Sequence, residues 1–504
     1  MSVLSIDVGS SRCKAAIFSS SGEMLGMRSA IYVPQYPQPG FAELPANTFL
    51  DVVTTLAREL ATIPVSEAVE AVCFSSHGET LIPVSATGEA LGPAILNIDV
   101  RATTEAAWTE EQIGRRKLFM LTGHTSHAMY PIPKLLWLRS HAPDIFHAAS
   151  SFQSVTSYLL LQLGLPALVD YSHASRFMAL DVSSRTWSRE LLDLAGLSPK
   201  GLPLPVQAGT VAGRLNSTAA AMLGVAAGTP VVVGGHDQVI GAIGVGVIDA
   251  GRAAGSLGTY ECITVVSDRL LLNNAALQAN LNSYPHAVPG QFVTIGYFPA
   301  GIMMQWLGNL IYGQGKSEED YHFGELELTA HAGPTGLLIT PHLIGSCNPE
   351  FDAQARGAIS GLTFDCTRSH LYKGILEGIA SELGMITECL EHAGATFSDI
   401  NVFGGGIRSS LGLRLRAAVT QKRLHIMHCQ ESVCLGGAVL ASVAVGIHSD
   451  LQSAATIMVR EQQCVAGDPL LAEQYQPQIE KYRQLRSMLV HRHKRESPYT
   501  GEQS

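Results

Sequence analysis

The stretch S-V-L-S-I-D-V-G-S-S-R-C-K-A-A-I-F, residues 2–18, decides the fold. Residues 2–8 are apolar and β-branched and stop at Gly9. Residues 13–18 make a second short apolar run, Ser20-Ser21-Gly22 supply turn chemistry, and a third run extends from Glu23 to Tyr32. This pattern predicts strands joined by a polar Gly/Ser loop and a tight turn. About 250 residues later R-A-A-G-S-L-G-T-Y-E-C-I-T-V-V, residues 252–266, repeats it: strand, Gly/Ser/Thr turn, strand. One unit used twice predicts a duplicated fold.

Working outward, residues 47–62 carry apolar spacing suited to a helix, with Asn47 as its cap, and residues 68–75 read as a buried strand. Residues 229–234 form another strand, ending at Gly234-Gly235, and 238–246 a small-residue helix. A long helix over 369–394 precedes a strand at 399–403 that runs into Gly404-Gly405-Gly406. A helix follows from about Ser409, and Gly436-Gly437-Ala438 opens a last small-residue helix to about Val445. Residues 467–490 read as a polar helix. A chain of 504 residues exceeds the roughly 250–300 that one core serves. Two domains are expected, 1–248 and 249–447, followed by a helical tail at 448–504.

Composition narrows the function. Hydrophobic residues make up 46% and charged residues 15%, which is globular, and the net charge of −10 offers no basic face for nucleic acid. The basic cluster Arg492-His493-Lys494-Arg495 reads as a solvated helix end. Nine cysteines are widely spaced with no C-x-x-C pair, so reduced, mostly buried thiols in a cytoplasmic protein are expected. No secretory signal is read at the N-terminus, and no apolar run reaches the roughly 20 residues that span a bilayer.

Four elements carry chemistry. In Asp7-Val8-Gly9-Ser10-Ser11-Arg12-Cys13-Lys14, Gly9 allows a sharp turn, Ser10 and Ser11 offer hydroxyls and amides to phosphate oxygens, and Lys14 is a point charge. Asp7 at the strand end can hold Mg2+ through water. Gly255-Ser256-Leu257-Gly258-Thr259 repeats the turn without charge. Gly404-Gly405-Gly406, between strand and helix, lets a flat ligand lie on the backbone, and neither a G-x-G-x-x-G unit nor a G-K-[ST] loop is present. Gly234-Gly235-His236-Asp237-Gln238 puts an acid at a strand end, where it serves either as a helix cap or as a proton acceptor in phosphoryl transfer.

In this order and spacing the four elements resemble the FGGY family of carbohydrate kinases. The resemblance runs over roughly residues 3–447 and includes M-Y-P-I-P-K-L-L-W-L at 129–138, with Lys134 and Trp137, and the stretch 337–363 leading to a second signature that ends at Glu377. It implies an α/β fold of two ribonuclease-H-like domains around a central cleft, as in actin, hexokinase and Hsp70 ATPases. It implies ATP and Mg2+ as cofactors and a small sugar or polyol as substrate. By similarity Ser10, Ser11, Arg12 and Lys14 match the first phosphate loop, Asp7 the metal-associated acid, and Gly258 and Thr259 the second loop. Gly301 and Gln305 match a nucleotide-contacting pair, and Gly405, Gly406 and Ser410 the adenosine site. Asp237 matches the catalytic base, with Gln238 and Glu79 in the substrate pocket.

The pocket departs from the glycerol kinase branch. Ser76-His77-Gly78-Glu79-Thr80 keeps the glutamate but has Gly78 for an arginine, and Met129 stands for a tyrosine. Two large groups are missing, which predicts a roomier pocket for a four- to seven-carbon substrate. His77, Gly78, Met129, Asn97, Asp99 and Arg101 join the substrate candidates, Asp99 and Arg101 having a structural ion pair as their alternative. Residues 411–421 lack the glutamine and Ala-Asp pair common in the family. The chain is expected to phosphorylate a primary hydroxyl of a ketose such as a pentulose, or of a polyol, and to engage neither nucleic acid nor membrane; its oligomeric state is left open, a homodimer being a common outcome for such enzymes. The rival readings are a weakly catalytic sugar-sensing regulator and an actin-like ATPase acting on proteins.

Overall fold

A computed structural model describes residues 1–64, 67–315 and 321–496, with side chains as far as residue 489. The basic cluster at 492–495 therefore lies outside the described side chains. The first sheet holds β1 (Ser2–Val8), β2 (Arg12–Ser19), β3 (Met24–Ile31), β4 (Val69–Ser76), β5 (Val211–Arg214) and β6 (Pro230–His236) in the order β5-β6-β4-β1-β2-β3. The second holds β7 (Arg252–Leu257), β8 (Tyr260–Ser267), β9 (Asn282–Pro285), β10 (Phe292–Pro299), β11 (Asp399–Phe403), β12 (Arg423–Met427) and β13 (Glu461–Val465) in the order β9-β10-β8-β7-β11-β12-β13.

Six strands of the second sheet match the first in topology, and β9 adds a further edge strand beyond β10. In the first, β1 pairs antiparallel with β2 and parallel with β4, β4 pairs parallel with β6, and β5 closes the edge antiparallel. In the second, β7 pairs antiparallel with β8 and parallel with β11, β11 pairs parallel with β12, and β13 closes the edge antiparallel. The repeat seen in two hairpins thus extends over the whole sheet. The closing strand of the second copy comes from residues expected to be a helical tail. That expectation is corrected: 451–458 and 469–496 are helical, but Glu461–Val465 between them is a strand.

Strand alternation sorts side chains into layers. From β1, Leu4, Ile6 and Val8 join an outer core with helix α1 (Asn47–Ala61), whose Phe49, Val53, Leu56, Ala57 and Leu60 recur at helical spacing. The cap of α1 is Ala46, not Asn47; the Asn47 side chain instead accepts from the Tyr158 hydroxyl at 2.7 Å. From the opposite face of β1, Val3 packs into a central core shared by both sheets and by α3 (Asp237–Gly244) and α8 (Ser432–Ala444), with the short helix α2 (Tyr171–Ser175) beside the cleft. Helices α4 (Gly301–Tyr312), α5 (Phe323–Leu328), α6 (Arg368–His392) and α7 (Ser410–Thr420) belong to the second domain, whose outer core α6 and α7 build with α10 (Pro469–Glu496), after α9 (Leu451–Met458).

The small residues of α3 and α8 have a packing reason. A Cβ added at Gly244 would lie 1.8 Å from the Ser432 carbonyl oxygen, and one at Gly436 would lie 1.9 Å from that of Ile240. The helices meet backbone to backbone, which brings the ends of β1, β6 and β7 to one cleft. All nine cysteines are free thiols; Cys13, Cys73, Cys262 and Cys434 are buried and Cys464 is exposed. No described helix is long and apolar enough to cross a membrane.

Candidate active site

The first turn is tight: the Gly9 amide donates to the Arg12 carbonyl at 3.0 Å, and the Tyr32 hydroxyl donates to the Gly9 carbonyl. Ser10 accepts from Asn97 Nδ2 at 3.1 Å, while Ser11 and Arg12 are exposed. Asp7 alternates with Val3 and Ser5 and so faces the central layer. It is 9% exposed, and its Oδ1 has no partner among the described residues. Burial raises its carboxyl to about 7. Lys14, its cross-strand neighbour, gives its ammonium to Glu431 of the other domain at 2.6 Å. Lys14 therefore meets a carboxylate where the sequence suggests phosphate. A buried acid with a spare oxygen, beside a second carboxylate, is the hard oxygen donor set that Mg2+ requires.

The second and third glycine turns pack on each other. A Cβ at Gly404 would lie 2.9 Å from the Leu257 carbonyl oxygen, and one at Gly406 would lie 2.8 Å from Leu257 Cβ. Helix α4 starts against the second turn: Ala300 and Gly301 donate to Thr259 and Gly258 carbonyls at 3.0 and 3.1 Å. A Cβ at Gly301 would reach within 2.4 Å of the Gly258 oxygen, so Gly301 is what allows this seat. Gln305 is exposed on α4, and Gly405 is exposed in the third turn. Ser410 is engaged differently: its hydroxyl donates to Glu327 at 2.6 Å. Glu327 also accepts from the Leu411 amide at 2.7 Å and from the Ser409 hydroxyl at 2.8 Å. One carboxylate thus closes the start of α7, where negative charge is favoured.

Asp237 is the first residue of α3, and the capping position belongs to His236. Its Oδ1 accepts from the Gln238 amide at 2.7 Å and faces His236 Nε2 at 3.3 Å. Burial, with Asp7 and Glu79 nearby, holds its carboxyl well above the usual range. Burial also holds the His236 ring well below its usual range, so the ring is neutral. The Tyr284 hydroxyl lies 3.1 Å from His236 Nδ1. Tyr284 thus hydrogen-bonds one nitrogen of the ring, and the other nitrogen lies against the Asp237 carboxyl. A tyrosine of the second domain thereby holds the ring that lies against the acid of the first.

Glu79 completes the cluster. Its φ of 66° is the left-handed region, sparsely used by non-glycine residues and concentrated at functional sites. Three contacts hold it there. The fully buried Lys134 ammonium donates to the Glu79 and Leu96 carbonyls, both at 2.7 Å, and the Arg176 guanidinium grips its carboxylate. Burial lowers Lys134 to about 7. Arg176 follows α2 and lies over Tyr130 and Tyr284, with 5.2 and 5.6 Å from its guanidinium carbon to the ring centroids.

Two glycine turns, a spare buried acid and a second acid oriented across the cleft form one constellation. Models of the FGGY family of carbohydrate kinases match it on both sides, the N-terminal domain over residues 2–244 and the C-terminal domain over 253–445. The chain belongs to the FGGY family of carbohydrate kinases. It is accordingly a phosphotransferase with an alcohol acceptor, acting on a sugar or polyol. A xylulose kinase of Staphylococcus epidermidis is 27% identical over 91% of each chain. An autoinducer-2 kinase of Klebsiella pneumoniae is 28% identical over 95% of this chain and 92% of that one. A ligand-bound xylulose kinase structure from Lactobacillus acidophilus superposes with a TM-score of 0.90 at 25% identity, covering 98% of this chain and 100% of that one.

Several of the sequence candidates in this FGGY site make contacts with the scaffold. His77 spends both ring nitrogens on the scaffold, at 2.8 Å from the Val8 carbonyl and 2.7 Å from Thr80 Oγ1. Asp99 accepts from the Ala42 amide at 2.6 Å and from Arg101, which stacks on Phe41 and also binds Glu43, so the structural ion pair holds here. Met129 packs half-buried against the apolar cluster around Tyr130. Gly78 does not open the pocket: a Cβ there would lie 2.9 Å from Arg176 Cγ. Arg176 packs against Gly78 and lies over the Tyr130 ring. Arg176, His236, Tyr284, Lys134 and Glu431 go beyond the sequence assignments. Of these, Lys134 and Arg176 meet at the left-handed turn of Glu79.

Proposed function

We propose that this kinase transfers the γ-phosphoryl group of ATP to a primary hydroxyl of a small ketose such as a pentulose, with Asp237 as the general base. The observation that carries the reading is the Tyr284–His236–Asp237 chain. It sets a half-buried carboxylate, whose raised pKa makes it a stronger proton acceptor than an ordinary carboxylate, against a neutral imidazole. Glu79 and Arg176 place an acceptor and a donor side by side for the hydroxyls and carbonyl of the sugar. The phosphates lie along the turns at 9–14 and 258–259, and the adenosine along Gly404–Gly406. Asp7 and Glu431 would hold Mg2+, which supplies charge neutralisation to the phosphates. Domain closure over the bound sugar would exclude water and favour the sugar hydroxyl as acceptor. Support for a pentulose comes from the names of the xylulose kinase relatives and from a site that offers donors and acceptors together.

The test is a coupled assay on pentuloses, hexuloses, tetritols and glycerol. A pentulose is expected to give the highest kcat/KM, and Asp237→Asn and Asp237→Ala should lower kcat by about 10²–10⁴-fold while ATP still binds. Near-normal turnover in both variants refutes the base, and glycerol as the best substrate refutes the sugar. ATP hydrolysis indifferent to every sugar would favour an ATPase acting on proteins.

A further inference from the structure

We propose that His425, Glu461 and Cys464 form a zinc site on the edge of the second sheet, separate from the kinase chemistry. One nitrogen, one oxygen and one sulfur donor lie within 4.8 Å of one another. A tetrahedral zinc with bonds of about 2.0–2.3 Å holds its donors roughly 3–4 Å apart, within reach of side-chain rotation here. A mixed N/O/S set is one that zinc accepts and magnesium or calcium does not favour.

The backbone builds this cluster deliberately. His425 on β12 stands opposite Cys464 on β13. By simple alternation Glu461, three residues from Cys464, would point to the other face. The ladder instead slips between Ile426 and Met427, pairing Gln463 with Ile426 and Glu461 with Met427, and leaves Gln462 as the extra residue. Such a bulge re-aims a side chain, and here it brings Glu461 round to His425. His425 Nδ1 lies 3.0 Å from Glu461 and Nε2 lies 2.8 Å from Asp399. Asp399 is itself held by Arg423 at 2.7 Å. A carboxylate that accepts from one imidazole nitrogen turns the other toward a metal, the usual outer-shell arrangement of zinc histidines.

A second observation points to the same place. His425 and Glu461 line a cleft of about 230 Å³ together with Arg252, Asn401, Gln452 and Thr456. Asn401 is buried and its Oδ1 has no partner among the described residues. A water or small anion in this cleft would complete the tetrahedron. The metal would fasten β13 to the rest of the sheet, so it would act on stability and leave catalysis alone.

The experiment uses the full chain stripped with a chelator and titrated with Zn2+ and Co2+. One equivalent should bind, the Co2+ form should show a thiolate-to-metal charge-transfer band, and Zn2+ should protect Cys464 from alkylation. Cys464→Ser should abolish the band, and Glu461→Gln and His425→Ala should each weaken binding at least tenfold. Sugar phosphorylation should be unchanged in Cys464→Ser and Glu461→Gln, which also shows that these variants fold. No stoichiometric binding, an ion pair only around His425, or a band that survives Cys464→Ser overturns the proposal.

Discussion

The hairpins β1–β2 and β7–β8 are the same piece of backbone put to opposite uses. Each is flanked by one buried carboxylate. In the first, Asp7 keeps an oxygen without a partner, and burial raises its pKa to about 7. In the second, Glu261 is clasped by the Arg416 guanidinium of α7, with Nε at 3.0 Å from its second oxygen. Both residues of that pair are almost wholly buried. The two hairpins share their strand pairing, but the buried carboxylate keeps a free oxygen in one and is closed off by an ion pair in the other. This also accounts for the unusual stretch after the third glycine turn, where Arg416 serves Glu261.

The largest effect that could break this comparison is on turnover. Asp7→Ala should lower kcat by about two to three orders of magnitude, as loss of a group that stabilises transition-state charge does. Arg416→Ala should do the reverse. It leaves Glu261 buried and unpaired, at about 3–5 kcal/mol in chemical denaturation, while the folded fraction keeps its kcat. If Arg416→Ala abolished turnover without loss of stability, the two hairpins would not differ as described.

A next, smaller effect concerns pH. Asp7 is protonated in the fold below about pH 7, whereas in the unfolded chain it ionises near 4. Between those values the folded state holds a proton that the unfolded state does not, so this group's contribution to stability falls as pH rises from 4 to 7. Apparent Mg2+ affinity, which needs the ionised acid, should weaken by about tenfold per unit below pH 7. Calorimetric titration at several pH values measures it, and a flat profile would detach Asp7 from the cation. Asp7→Asn should accordingly stabilise the metal-free protein at pH 8 while it impairs turnover.

Gly301→Ala sharpens the second hairpin alone. The added methyl meets the Gly258 carbonyl and must displace the turn, so KM for ATP should rise about tenfold with sugar KM unchanged. Smallest of all, Thr259→Ala on the exposed, uncharged turn should change KM for ATP only a few-fold, the value of about one neutral hydrogen bond.

The fold was legible because its signals are local. Gly9, Gly258 and Gly404–Gly406 follow apolar runs, and period-two alternation marks the strands. Asp237 was legible for the same reason, standing at a strand end between glycines and a small-residue helix. The partners of these groups were not. Arg176 comes to Glu79 from 97 positions away and Glu431 to Lys14 from 417, and neither sits in a stretch whose pattern differs from ordinary surface. Position 78 shows the same limit: the absence of a side chain there says nothing about Arg176, which a distant part of the chain places 2.9 Å from where a Cβ would stand. Ser410 reads as a ligand contact until Glu327, on a different helix, takes its hydroxyl.

The edge strand Glu461–Val465 also sets an order of events during synthesis. The first sheet has all its strands once the ribosome has made His236, but the second lacks its closing strand until Val465 is made. Throughout that interval β12 presents a bare hydrogen-bonding edge, the kind of surface that recruits a wrong neighbour. A nascent chain stalled or cleaved near residue 447 would carry one finished domain and one sticky one, and its fate would be decided by a five-residue strand it had not yet received.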